Sequence, residues 1–217
     1  MRVILIRHGQ SEANLAGRSL GQGDSPLTEL GQRQASAVAE ALRGEQIARV
    51  LSSPLSRSAD TASAVAGKHE CVVEEHAGLL EMDIGEMEGL AWSDARARYA
   101  DFLKHWMGDQ TARLSMPGGE SLADVQERAW PVLEPLLIPA PDADGNAKAA
   151  DDDAATVLVS HNFVIKSLIC SALGLDLNHW RRFETDLTGR TVLERRRGET
   201  VLRTLNDFSH LTDDLRG

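Results

Sequence analysis

Two short apolar runs frame the chain. Residues 3–6 (Val-Ile-Leu-Ile) and 156–159 (Thr-Val-Leu-Val) show no polar alternation and are rich in β-branched side chains. That is the pattern of strands buried on both faces of a parallel sheet. Residues 47–51 predict another strand and residues 71–73 a short one. Between these runs the apolar positions fall into a helical period. Ala35, Val38, Ala39 and Leu42 lie at offsets 0, 3, 4 and 7 behind Thr28, which is placed to cap them. Ser53 and Pro54 read as N-cap and first residue of a helix over 54–66, with Leu55, Ala59, Ala62 and Ala66 inward. Residues 92–107 predict a helix with aromatic packing residues. Ser121 and Asp124 form a capping box for a helix that buries Leu122, Val125, Ala129, Val132, Leu133 and Leu136. A helix over 162–173 follows the second frame strand, and residues 191–195 and 200–205 predict two strands joined by a turn near Gly198. Residues 139–153 are rich in Pro, Ala and Asp without any period, so an exposed, mobile loop is expected there. With no repeat and no linker, the alternation predicts one domain over residues 1–217. The expected fold class is α/β, a three-layer α/β/α sandwich with a mostly parallel central sheet.

Composition narrows the partners. A net charge of −10 over 217 residues argues against nucleic acid and acidic membranes, because a bulk negative field repels phosphate polymers. An anionic substrate must then be held by a local cluster of cations. Cys71 and Cys170 are too few for a disulfide framework. The chain goes directly into a strand with no leader pattern, and no apolar run is long enough to span a bilayer. A cytoplasmic protein without membrane contact is expected.

The candidate chemistry sits where the predicted strands stop. Arg7, His8 and Gly9 end the first strand and His161 ends the second frame strand, while Arg57 and Glu81 follow the two strands between them. In an open α/β sheet these ends line one edge, where ligands bind. Two arginines and two histidines around one crevice suit a dianion, since guanidinium forks match phosphate oxygens in a way that lysine does not. Each has a plainer reading. Arg57 could be a solvated residue on a helix's first turn, although it would oppose the helix dipole there. Glu81 shares its loop with Asp83, Glu86 and Glu88, and His161 could be a hydrogen-bonded core residue. The histidines at 69, 76, 105, 179 and 210 lack the strand-end setting. No grouping has metal-ligand spacing and no Gly-rich nucleotide loop is present, so neither a metal nor a cofactor is expected.

Taken together, these blocks resemble the histidine phosphatase superfamily, also called the phosphoglycerate mutase-like family. Arg7-His8-Gly9-Gln10-Ser11 is similar to its RHG signature, and Asn14 to its substrate-contacting Asn. Asp24 to Thr28, Gly31, Gln34 and Ala35 match the next block, and Ser52 to Ala62 the block that carries the second Arg. Glu81 with Gly85, Glu88 and Gly89 resembles the acid loop. Residues 117–121 resemble the PGGES turn, and Val159-Ser160-His161 the second-His block. The resemblance covers nearly the whole chain. One departure is Leu20, where many members carry Gln before Gly21, which removes support for substrates assigned through that Gln.

The resemblance implies phosphoryl transfer through a covalent intermediate. His8 would be the nucleophile and Glu81 the general acid and base. Arg7, Arg57, His161 and Asn14 would hold the phosphoryl oxygens, with Gly21 and Asn162 also at the substrate. Two family activities compete. A phosphatase would hydrolyse a small phosphorylated metabolite; a 2,3-bisphosphoglycerate-dependent phosphoglycerate mutase would return the phosphoryl group to a sugar acid. Mutases of the family carry a long, basic insert after the catalytic Glu. Here Glu81 and Pro117 are 36 positions apart with only Arg96, Arg98, Lys104 and Arg113 between them, which favours hydrolysis. A catalytically dead phosphate-binding module is the reading from another class, and every matching position holds the expected residue type against it. Oligomeric state stays open, a homodimer included.

Overall fold

The computed structural model describes residues 1–109, 111–138 and 154–216. The loop expected at 139–153 lies outside the described residues. Six strands form one sheet in the order β3-β2-β4-β1-β5-β6: β1 Arg2–Arg7, β2 Ile47–Ser52, β3 Val73–Glu75, β4 Ala155–Ser160, β5 Arg190–Arg196 and β6 Glu199–Asp207. The first four are mutually parallel, and β5–β6 is an antiparallel hairpin added beside β1. The helices are α1 Glu12–Leu15, α2 Glu29–Ala41, α3 Ser56–Ala66, α4 Trp92–Arg98, α5 Ala100–Trp106, α6 Leu122–Leu137 and α7 Asn162–Ala172. The chain is therefore a mixed α/β fold around a mostly parallel sheet.

Strand alternation sends successive side chains to opposite faces. Val3 and Leu5 of β1 with Leu158 of β4 meet the α6 and α7 side, whereas Ile4, Ile6, Val157 and Val159 meet Val38, Ala39, Ala62 and Val65 of α2 and α3. Both faces are covered, which is why the frame strands read as unbroken apolar runs. Burying a Leu or Ile of this kind stabilises by roughly 1.5–3 kcal/mol, which anchors the two central strands firmly on both faces.

Three expectations need correction. Ser53 and Pro54 do not open α3. Leu55 is its N-cap without a side-chain bond, and the buried stripe runs through Ser58, Thr61, Ala62 and Val65 rather than Ala59. Ser53 is committed elsewhere: its N–H extends the sheet to the Val159 carbonyl at 3.1 Å, and its hydroxyl meets His161. The end of α3 is capped from a distance, the Ser56 N–H donating to Asp24 Oδ1 at 2.9 Å. The expected helix over 92–107 is broken at Tyr99 (φ −115°, ψ 30°), whose hydroxyl donates to Glu86 Oε2 at 2.9 Å. The short strand lies two residues later than expected, in parallel register with Val50 to Ser52, and leaves Val72 at the surface. Helix α1 carries a capping box from Ser11 and Asn14 that the apolar pattern does not signal.

Candidate active site

Sheet register brings the two histidines together. Parallel pairing sets Arg7 of β1 against Ser160 of β4, and the His8 N–H continues the ladder to the Ser160 carbonyl at 3.1 Å. The next residue of each strand is a histidine, and the two rings lie 5.1 Å apart, tilted by 57°. His8 and His161 are both buried. The backbone turns away at Gly9, where a Cβ would come within 2.6 Å of the Gly31 carbonyl oxygen. Only glycine permits that approach. The Gly9 carbonyl in turn accepts from His8 Nδ1 at 2.7 Å. A carbonyl cannot donate, so Nδ1 carries the proton and the neutral ring keeps its lone pair on Nε2.

Two arginines surround this pair. Arg7 ends β1, and its Nη1 donates to the Thr185 carbonyl at 2.8 Å. Arg57, on the first turn of α3, is almost fully buried and donates to the carbonyls of Gly23 and Gly21 at 2.9 and 2.8 Å. Gly21 enters as a support for that guanidinium: its N–H donates to Glu88 Oε2 at 2.9 Å, and a Cβ would lie 2.5 Å from the Met82 carbonyl oxygen. Beyond these bonds Arg7 Nε, Arg57 Nε and His161 Nδ1 are buried with no hydrogen-bond partner among the described residues. Buried polar atoms are usually paired. These three unpartnered nitrogens, on side chains of one cluster, suit an acceptor-rich ligand.

Glu81 completes the cluster. Its carboxylate accepts the Met82 N–H at 2.9 Å and the Phe163 N–H, in the first turn of α7, at 3.2 Å. Phe163 is fixed by edge-on contacts with Trp106 and Trp180, at 5.8 and 5.4 Å between ring centroids. Burial pushes the Glu81 carboxyl above the usual carboxylate range, against the opposing pull of the Met82 N–H, Arg57 and Arg7. Burial also drives His8 well below the ordinary imidazole range, helped by the charges of Arg7 and Arg57. His161 moves the same way, by burial first and then by His8, Arg57 and Arg7. The site thus pairs imidazoles that resist protonation with a carboxyl that holds its proton to higher pH than a free one, a combination suited to a nucleophile and a general acid.

The remaining candidates lie at the margin. Asn14 accepts from the Ser11 N–H at 3.1 Å. It lines, with Arg7, Asp186, Phe208, Leu211 and Arg216, a cavity of about 360 Å³. Asn162 accepts the hydroxyl of Thr185 at 2.7 Å, the same residue whose carbonyl holds Arg7.

Sequence reasoning missed the residues that hold the acid loop. Arg128 of α6 donates to the carbonyls of Gly78, Leu80 and Glu81 at 2.7–2.9 Å and clamps Glu120 through two nitrogens, at 2.8 and 2.9 Å. Glu120 accepts the Asp83 N–H at 2.9 Å. Gln22 donates to the Glu81 carbonyl at 3.2 Å. The trace Arg128 leaves in the sequence is a cation beside an apolar helical stripe, which ordinarily means a solvated helix edge. Among the described residues no group of three His, Cys, Asp or Glu side chains is arranged to hold a metal ion, and no helix is long and apolar enough to cross a membrane.

Known proteins carry the same framework. Residues 3–208 match the model of the histidine phosphatase superfamily (branch 1). A glucosyl-3-phosphoglycerate phosphatase of Mycolicibacterium vanbaalenii is 35% identical over 82% of this chain and 77% of its own. A probable phosphoglycerate mutase of Proteus mirabilis is 31% identical over 98% of this chain and 96% of its own. Among solved structures, a mycobacterial glucosyl-3-phosphoglycerate phosphatase in complex with inorganic phosphate superposes with a TM-score of 0.83 at 30% identity, covering 97% of this chain and 99% of that one. Family model, relatives and fold coincide: the chain belongs to the histidine phosphatase superfamily, branch 1.

Proposed function

We propose that the protein hydrolyses a small phosphomonoester through a phosphohistidine on His8. The observation that carries this reading is the set of unpartnered Arg7 Nε, Arg57 Nε and His161 Nδ1 around an imidazole whose Nδ1 is already committed to Gly9. The Nε2 lone pair attacks phosphorus in line, the ester P–O bond breaks, and Glu81 gives its proton to the departing oxygen. Water then attacks the phosphohistidine and the Glu81 carboxylate takes its proton. The P–N bond breaks, releasing inorganic phosphate and neutral His8. Arg7, Arg57 and Asn14 hold the equatorial oxygens throughout. His161 joins them as an Nδ1–H donor in the tautomer whose Nε2 accepts the Ser53 hydroxyl, 2.9 Å away. Positioning and charge stabilisation therefore supply most of the rate.

Mutase activity is the second reading, favoured by the likeness to a probable phosphoglycerate mutase. Against it, Arg96, Arg98, Lys104 and Arg113 all lie exposed, so the segment after Glu81 offers no basic cover to keep water from the intermediate. A phosphate-release screen over small phosphomonoesters with EDTA present, run beside a 3-phosphoglycerate to 2-phosphoglycerate interconversion assay, separates the two. We expect release without interconversion. Interconversion with little release would assign the chain to the mutases.

A further inference from the structure

Among the described non-glycine residues with positive φ, Thr188 alone is both β-branched and buried. Its φ is +56°, a left-handed conformation that a β-branched residue seldom adopts. Strain of this kind persists where the surroundings enforce it, and it gathers at functional sites. Here the conformation aims the Thr188 N–H at the carbonyls of Arg7 and His8, at 3.0 and 3.4 Å. Strand β5 pairs with β1 as far as Arg190 opposite Ile6. Thr188 and Gly189 carry that edge past the strand end, the Gly189 carbonyl accepting the Arg7 N–H at 3.4 Å. The His8 main chain is thereby held from both sides, its N–H by Ser160 of β4 and its carbonyl by Thr188. With His8 Nδ1 on the Gly9 carbonyl, the main chain of residues 8 and 9 fixes where Nε2 points.

Thr188 is held in turn by the C-terminal segment. Its hydroxyl has one proton, which goes to the Leu187 carbonyl at 2.8 Å. His210 Nε2, 3.2 Å from the same oxygen, is therefore the donor. His210 is then the Nε2–H tautomer, with its Nδ1 buried and unpartnered among the described residues. A neutral ring fits this place, because burial and then the charge of Arg190 lower the His210 ionisation to about 4 against the pull of Asp207. Asn206 grips the same loop, accepting the Asp186 N–H and donating to Asp186 Oδ2, both at 2.7 Å.

We propose that His210 is a positioning residue for the nucleophile. Its N–H fixes Thr188, and Thr188 fixes the main chain from which the His8 ring and the Arg7 guanidinium project. The inference rests on the phosphomonoesterase reading above and adds to it a residue outside the phosphoryl-binding cluster.

The test uses 4-nitrophenyl phosphate and glycerol 3-phosphate as substrates and inorganic phosphate as a competitive inhibitor. His210→Phe keeps the ring bulk and removes the N–H, while Thr188→Val keeps the shape and removes the hydroxyl. Each should lower kcat/KM roughly tenfold, by the same factor on both esters, because both need the same attack by His8. The inhibition constant of phosphate should move by less than about threefold. The double variant should fall little further than either single one. His210→Gln, which returns an N–H near the place of Nε2, should recover most of the loss. Unchanged kcat/KM, a parallel loss of phosphate affinity, losses that multiply in the double variant, or a His210→Gln variant as slow as His210→Phe would each overturn the proposal. One readout is taken on the wild type: two-bond nitrogen–proton NMR correlations at about pH 6, just below the ordinary imidazole ionisation, should show the His210 ring neutral and protonated at Nε2. A charged ring or the Nδ1–H tautomer would overturn the proposal as well. Failure of the underlying reading looks different: the wild type would then release no phosphate from either ester.

Discussion

At the scale of single residues, burial shifts His8 and Glu81 in opposite directions, and the rate should report both. His8 sits below the usual imidazole range, so its neutral, nucleophilic form persists as the pH falls under about 6.5. Glu81 sits above the usual carboxylate range, so its proton survives to higher pH than in water. The turnover of alkyl phosphomonoesters should therefore hold through mildly acidic solution and fall as the pH rises through the elevated Glu81 ionisation. An aryl ester, whose leaving group needs little protonation, should lack that fall. Glu81→Gln should slow alkyl esters by about 10²–10⁴-fold and aryl esters far less, checked by kcat/KM against pH on the two substrate types. Equal losses would remove Glu81 from the acid role. The residues in this prediction were legible in sequence because an Arg or His is an expensive way to end a buried strand. Ser53 was not. Beside Pro54 it has every local mark of a helix cap, and only the long-range pairing of β2 with β4 turns its hydroxyl to His161.

Elements, more than contacts inside the cluster, decide where the Glu81 carboxyl lies. The acid loop is fastened by Arg128 and Glu120, and by Gly85 (φ +53°), which packs its backbone against the PGGES turn at Pro117 to Gly119. Arg128→Met removes five hydrogen bonds, leaving the Gly78 and Leu80 carbonyls without that donor, the Glu81 carbonyl with Gln22 alone and Glu120 with only the Asp83 N–H. A cost of about 2–3 kcal/mol is expected, a Tm drop of roughly 5–10 °C for a chain of this size. Thermal melting should show that drop, and kcat/KM should fall at temperatures where the variant is still folded. A lower Tm with unchanged kcat/KM would mean that the loop keeps its shape unaided. Helix positions followed from periodicity, because α2, α6 and α7 each bury a wide apolar stripe. The caps of α2 and α6 were legible too, Thr28 and the Ser121–Asp124 box standing beside their helices. The start of α3 was not, because its Ser56 N–H is held by Asp24, 32 residues away, and no local pattern announces such a bond.

On the scale of the whole molecule, the sheet works as an aligning device. Side-by-side parallel strands stop level with one another, so residues 8 and 161, which are far apart in the chain, arrive within one ring's width. The alternation of strands and helices made that architecture readable, and the family resemblance gave the order of blocks. Hidden from both was the return of the C-terminal segment, where the Leu215 carbonyl accepts from Gln34 Nε2 at 2.8 Å and Phe208 and Leu211 wall the cavity beside Arg7. Nothing periodic marks those residues as neighbours of the N-terminal strand. The central claim concerns one bond, phosphorus to His8 Nε2, and rapid-quench phosphoenzyme trapping with mass-spectrometric mapping tests it most directly. The account predicts a phosphoryl group on His8 during turnover, with neither labelling nor turnover in a folded His8→Ala variant. Full turnover by that variant, or a phosphoryl group trapped only on another residue, would contradict it.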